Sequence, residues 1–401
     1  MALNQFTSPE GDLDNYLVTE YWLIDQYVGD TLWGWGRNGY GQLGDNTVIQ
    51  RNTPVTTLPG GTNWKQISCR FRHTTAIKTD GTLWTWGENY YGQLGTGQGY
   101  VPSSFRSTPV QTFFATTNWK QVSCGQRYTA AIKTDGTLWT WGRNNSGQLG
   151  NNTTTSRSTP VTTFVGGNNW KQVSAGYTSP MAIKTDGTLW TWGRNLFAQI
   201  GDNTTTNRLT PVTTFAGGTN WKQVSAGYSH MSAIKTDGTL WTWGRNYAGS
   251  LGDNTTTQRN TPITTFAGGT NWKQVICGQF QTVAIKTDGT LWTWGYNSSG
   301  QLGVNDAGTT FSRTTPVTTF AGGTNWKQVA GGDSYTAAIK TDGTLWTWGI
   351  NTSGPLGDNT TTTRCTPVTT FAGGTNWKQV SAGYNYTLAV TSGTDPTYFI
   401  A

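Results

Sequence analysis

The chain of 401 residues is poor in the side chains that usually carry chemistry. Only 12% of its residues are charged and only two, His73 and His230, are histidines. It has no His-x-x-His, no cysteine pair at ligand spacing and no G-x-S-x-G turn, so neither a zinc site nor a serine nucleophile is expected. It has no run of 18 apolar residues, so no membrane-spanning helix is expected. The opening M-A-L-N-Q-F-T-S-P-E has neither a basic region nor an apolar run, and no secretory leader is expected. The four cysteines are Cys69, Cys124, Cys277 and Cys365. The first three stand five residues after the Trp of an N-W-K triplet, where other copies have Ala175, Ala226, Gly331 and Ala382. A place open only to Cys, Ala or Gly is a tight buried one, so these thiols read as packing groups rather than as a disulfide or a metal set.

Glycine (53 residues), threonine, asparagine and 22 tryptophans dominate instead. The tryptophans are periodic. W-x-W-G begins at Trp33, Trp84, Trp139, Trp190, Trp241, Trp292 and Trp346, and N-W-K carries Trp64, Trp119, Trp170, Trp221, Trp272, Trp326 and Trp377. A near-identical unit of about 51 residues therefore fills almost the whole chain, the period of a propeller blade. Twenty-one tryptophans belong to these motifs, three per unit, and read as packing between blades; Trp22 is the other.

Residues 74–125 illustrate one unit. T-T-A-I-K-T is a strand, Asp80-Gly81 a tight turn, T-L-W-T-W-G the returning strand, T-P-V-Q-T-F a third and N-W-K-Q-V-S a fourth. The fold class expected is all-β, a seven-bladed β-propeller with four antiparallel strands per blade. Two units are longer, at residues 96–106 and 304–313, both in the same polar loop, which marks a solvated rim. The D-N-T-T-T tips lack the alternating carboxylates of a calcium loop and read as polar turns. The A-I-K strand has one copy too many: either 21–28 closes the ring with the C-terminal strands, or it projects. The domains expected are an acidic arm at 1–30, the propeller at 31–391 and a closing strand or tail at 392–401.

Net charge is +7, unevenly spread. Residues 1–30 hold six acidic groups (Glu10, Asp12, Asp14, Glu20, Asp25, Asp30) and no Lys or Arg. The rest then carries 27 basic and 20 − 6 = 14 acidic groups, a balance of +13. Such a body suits an anionic partner, or the arm itself.

The runs W-G-x-N-x-x-G-Q-L-G, W-K-Q-V-S-A-G and T-A-A-I-K-T-D-G-T-L-W resemble the repeat of the regulator of chromosome condensation family over about residues 31–391. The resemblance implies a seven-bladed propeller and a habit of binding proteins rather than one activity. A UV-B-sensing member has G-W-R-H-T where this chain has Phe71, Gln126, Tyr177, Tyr228, Gln279, Asp333 and Tyr384. None is Trp, so photoreception is not expected. The near-identity of the units and the segment E-Y-W-L-I-D-Q-Y-V-G-D also resemble repeat proteins of marine bacteriophages.

The units disagree at two places: after W-G, and in the loop following N-W-K-Q-V. Both sets are rich in Tyr, Ser, Asn, Phe and Arg, which reads either as drift or as a contact surface of rigid aromatics and adaptable polar groups. In relatives of this fold both loops lie on one face. The expected macromolecule-binding face is Tyr40, Phe71, Arg72, Tyr90, Tyr91, Tyr128, Tyr177, Phe197, Tyr228, Tyr247, Phe280, Tyr335 and Tyr384. No catalytic residue, cofactor or metal site is expected. The reading that follows is a non-enzymatic bacteriophage virion component. Its arm would hold other virion proteins, and its face a host surface protein or glycan. Neither nucleic-acid binding nor membrane insertion is expected. The alternatives are a regulator-type propeller engaging a small GTPase or chromatin, and a carbohydrate-binding lectin.

Overall fold

The structure is a computed structural model that describes residues 30–58, 61–99, 104–306 and 311–393. The described residues form 28 strands in seven four-stranded antiparallel sheets, a seven-bladed propeller. The only helix among them is one 3-10 turn, Tyr247–Gly249.

In each blade the N-W-K-Q strand is innermost. In the first full blade Trp64–Arg70 pairs with His73–Lys78, that strand with Leu83–Glu88, and the last with Phe105–Gln111 at the outer edge. The sheet boundary thus falls one strand earlier than the sequence reading placed it. N-W-K-Q opens a blade rather than ending one, because the tight loop at Phe71–Arg72 forces it to pair with the strand that follows. The ring closes by strand exchange: Tyr386–Thr391 pairs with Thr31–Gly36, so the chain's two ends build one sheet. Segment 21–28, the other candidate for closure, lies outside the described residues, as do the rest of the arm to residue 29 and the tail from 394.

Two sets of inter-blade bonds recur. The second Trp of each W-x-W-G is fully buried and its indole N–H donates to a backbone carbonyl of the preceding unit, as Trp86 does to Gln42 and Trp192 to Gln148. Gly44 sits against this indole with φ +73°, and a Cβ there would lie 2.8 Å from Trp86 Nε1. Around the channel, inner-strand side chains clip one blade to the next: Gln121 Oε1 accepts from Val173 N (2.9 Å) and Ser123 Oγ from Ala175 N (2.9 Å). The first Trp of each motif is only half-buried; Trp84 lies under the ammonium of Lys78, 4.9 Å from the ring centre.

Cys69, Cys124 and Cys277 are free and buried, as expected of packing thiols, and burial pushes the latter two thiols up to about 12 and about 11. The polar tips are held by side-chain networks. Asp45 accepts from Asn38, Thr47 and Arg51, and although burial would raise it, these bonds hold the carboxyl below its ordinary value. Among the described residues no group of three or more His, Cys, Asp or Glu could hold a metal ion. No helix among them is long and apolar enough to cross a membrane.

Candidate functional site

Strand direction decides what reaches each face. Inner strands run toward the loops at Phe71, Gln126 and Tyr177, and third strands end at the loops after W-G, so both variable loop sets come out on the same face. The K-T-D-G turns occupy the other. Asp30, where the described chain begins, is on that opposite side, with Lys378 Nζ 2.5 Å from its Oδ2.

The face carries a connected run of rings across the channel mouth. Tyr384 lies 5.7 Å from Phe71, Phe71 6.3 Å from Tyr177, Tyr177 4.0 Å from Tyr228, and Tyr228 5.5 Å from Phe280. Phe280 continues to Tyr247 at 4.8 Å, and Tyr247 to Tyr296 at 5.7 Å. Arginines lie over further rings. Arg72 covers Tyr40 at 4.7 Å and donates to its hydroxyl at 2.8 Å; Arg127 lies 5.6 Å from Tyr91 and 5.8 Å from Tyr90; Arg245 lies 4.6 Å from Phe197. Most of these rings are half-buried by one another, and Tyr247 is exposed. Burial and the adjacent Tyr228 push the Tyr177 phenol up to about 12.

Eleven of the thirteen expected residues are therefore on this face. Tyr128 and Tyr335 are not: both are fully buried in blade junctions. They align with His73 rather than with Phe71, at the first residue of the second strand, whose side chain turns into the junction. The Tyr128 hydroxyl donates to Gly176 O (3.0 Å), and that of Tyr335 to Tyr386 O. His73 and His230 fill the same place, contacting Thr129 and Thr282 at 3.0 and 2.9 Å. Burial pushes both imidazoles down to about 3, so they stay neutral, and their enclosed place in the junction makes them packing groups.

Four charged residues at this face stand outside the thirteen expected there. Glu88 stands where other units have Arg, Tyr or Ile; it is buried, pairs with Arg127 at 3.0 Å and lies 3.9 Å from Arg72. Arg127 and Phe71 both have positive φ (62° and 51°), a strained conformation for such side chains, and strain of this kind gathers at functional surfaces. Arg70 stands at the channel mouth, where its Nη1 donates to Ala226 O at 2.9 Å. Burial raises the Asp333 carboxyl to about 6, although Arg70 pulls it down. Comparison of units reveals all four, since Arg70 replaces a glycine present in the other six.

A mouth of about 240 Å³ opens on the axis, lined by Arg70, Phe71, Tyr177, Tyr228, Asp333 and Tyr384 among others. A second cleft of about 460 Å³ lies beside it, between Arg143, Tyr177, Arg194, Leu196 and Tyr228. The variable loops contribute seven arginines (37, 70, 72, 127, 143, 194, 245) and two carboxylates, Glu88 and Asp333. The face is aromatic and strongly positive.

A model of the RCC1-like domain matches residues 25–266 and 107–398. The chain belongs to the RCC1-like domain family. This RCC1-like propeller is 31% identical over 336 residues to the ultraviolet-B receptor UVR8 of Arabidopsis thaliana, covering 82% of this chain and 75% of that protein. It is 27% identical to the Caenorhabditis elegans homolog of the X-linked retinitis pigmentosa GTPase regulator, over 68% of this chain and 22% of that protein. Among solved structures it is similar to Prp20p of Saccharomyces cerevisiae, described with its binding properties to Gsp1p and histones (TM-score 0.79, 16% identity, 92% of this chain and 94% of that one). Human WBSCR16 is similar at TM-score 0.79 and 21% identity, over 90% of this chain and all of that one. These two structural likenesses speak for the fold. The likeness to bacteriophage repeat proteins finds no support among these relatives, which come from plant, nematode, yeast and human.

Proposed function

We propose that this RCC1-like propeller is a non-catalytic binding module that engages a protein partner through the aromatic, arginine-rich face, as a regulator-type propeller of the class that includes partners of small GTPases and chromatin proteins. The observation that carries the reading is the connected run of rings from Tyr384 to Tyr296, interleaved with arginines on one face. Aromatics and arginine dominate the energetics of protein interfaces. The relatives support the regulator class over the virion component. The test is binding to a panel of nucleotide-free small GTPases and to nucleosomes, comparing the native chain with a Tyr177→Ser, Tyr228→Ser, Phe280→Ser variant. Loss of binding by the variant at unchanged thermal stability is expected; a variant that binds as the native chain does would refute the assignment of the face.

A second reading, the particle-borne module, draws on one observation: Asp30 leaves the ring opposite the variable face. Attachment through residues 1–29 would then leave the face free. Removal of those residues should detach the propeller from its assembly without unfolding it, and normal assembly after truncation would refute this.

A further inference from the structure

The chain supplies its own controls, because seven copies of each position can be compared. The position directly after the inner strand's Cys, Ala or Gly is Gly125, Gly176, Gly227, Gly278, Gly332 and Gly383 in six blades and Arg70 in one. The six glycines are tightly enclosed. A Cβ at Gly125 or Gly332 would fall 2.0 Å from the ring of Tyr128 or Tyr335, and one at Gly227 would lie 2.9 Å from Cys277 and His230. The blade needs no side chain here, so packing does not explain Arg70.

Arg70 spends one N–H on Ala226 O, across the channel from its own blade. A guanidinium has five donors in a rigid fork, suited to a carboxylate. Among the described residues no carboxylate lies within 4.0 Å of it; Asp333 lines the same mouth and acts on it through space. A partly buried cation without an ion-pair partner is costly unless something completes it. The mouth around it, about 240 Å³ and walled by Phe71, Tyr177, Tyr228 and Tyr384, is open to solvent and has room for a side chain. The excess of arginine over carboxylate in the surrounding loops draws negative charge toward it.

Resting on the reading of this face as the binding face, we propose that the channel mouth is a carboxylate-binding pocket anchored by Arg70, which takes an acidic side chain from an extended acidic segment of the partner. Arg70 supplies the fork, the rings pack against the side chain's methylenes, and the outer arginines hold flanking acidic residues. Asp333 opposes the incoming charge and limits affinity. A nucleic-acid phosphodiester carries one negative charge, as a carboxylate does, so Asp333 does not choose between them; the ring-walled mouth, with room for one side chain and its methylenes, favours a protein segment.

The test uses the full chain and a fluorescein-labelled, acetylated hexaglutamate peptide, followed by anisotropy at low salt. Arg70→Gly restores the residue of the six sister blades and should fold normally; it should weaken peptide binding at least ten-fold. Asp333→Asn should tighten binding several-fold. Arg194→Ala, outside the mouth, should change it less than three-fold. Unchanged binding by Arg70→Gly, with loss in Arg143→Ala and Arg194→Ala, would overturn the pocket while leaving the face as a binding surface. Failure of the native chain to bind hexaglutamate, together with binding of a single-stranded DNA 12-mer, would overturn it in favour of phosphate recognition.

Discussion

Replacing Trp192 by Ala tests whether the ring is held by its blade junctions. The indole is fully buried, its N–H donates to Gln148 O at 3.0 Å, and it packs in one cluster with Trp170 and Val173 of its own sheet and Ile132 and Leu149 of the preceding blade. Truncating a buried aromatic costs about 3–5 kcal/mol. The Gln148 carbonyl is also left without its donor, a further loss of about 1–3 kcal/mol if water does not reach it. Trp192→Phe keeps much of the packing and loses the bond, so it should fall well short of the Ala variant. The assay is equilibrium urea denaturation followed by far-UV circular dichroism, with native gel filtration to confirm a closed ring. The expected result is one cooperative transition shifted to lower urea, because each blade buries its face on the next and the end strands are shared. A loss below about 1 kcal/mol would refute the reasoning. So would a new, separate transition, which would mean that blades stand alone.

Other outcomes follow from the same geometry. His73 and His230 have folded pKa values of about 3 against about 6.5 in an unfolded chain, so the unfolded state takes up protons first and stability falls as pH drops from about 6.5 toward 3; at pH 5 each should cost about 2 kcal/mol. Thermal melts at pH 7 and 5 check this, and His73→Tyr with His230→Gln, the residues of sister blades, should flatten the difference. Gly81→Ala should destabilise by about 1–3 kcal/mol in a denaturant melt, because φ is +80° and a Cβ would lie 2.1 Å from Thr117 O. Tyr128→Phe should lower stability by about 1 kcal/mol with no change in partner binding, since its hydroxyl bridges blades; a binding defect without a stability change would put Tyr128 back on the face.

The architecture was legible because it repeats. Tryptophan spacing, the Asp-Gly turns and the T-P-V strands each recur seven-fold or nearly so, and one misread unit would have been corrected by six others. The sheet boundary was not legible, since alternation along a strand does not say which neighbour it pairs with; a two-residue loop at Phe71–Arg72 decided that. The face was legible as a set of loops but not residue by residue. Tyr128 and Tyr335 share composition with Tyr177 and Tyr228, and only place in the unit separates them: the first two open the second strand and turn into a junction, whereas the last two stand two positions earlier, in the loop at the mouth. Arg70, Arg127, Glu88 and Asp333 stand outside the expected face because aromatic character dominates its choice, although the exchange of one glycine in seven for arginine is visible in the chain. The T-P-V-x-T-F run reads as a third strand through its Phe, but the outer strands end at Thr162 and Thr213, and the Phe residues just beyond, such as Phe164 and Phe215, are exposed. Nothing in the structure explains that exposure.

The measurement that bears most directly on the central claim is affinity capture with two variants. One carries Tyr177→Ser, Tyr228→Ser and Phe280→Ser on the face; the other has the rim segments 96–106 and 304–313 shortened to the length of the other units. The account predicts that a partner held by the native chain is held equally by the rim variant and at least ten-fold more weakly by the face variant. Retention by the face variant with loss in the rim variant would contradict it and move the binding site to the circumference of the ring.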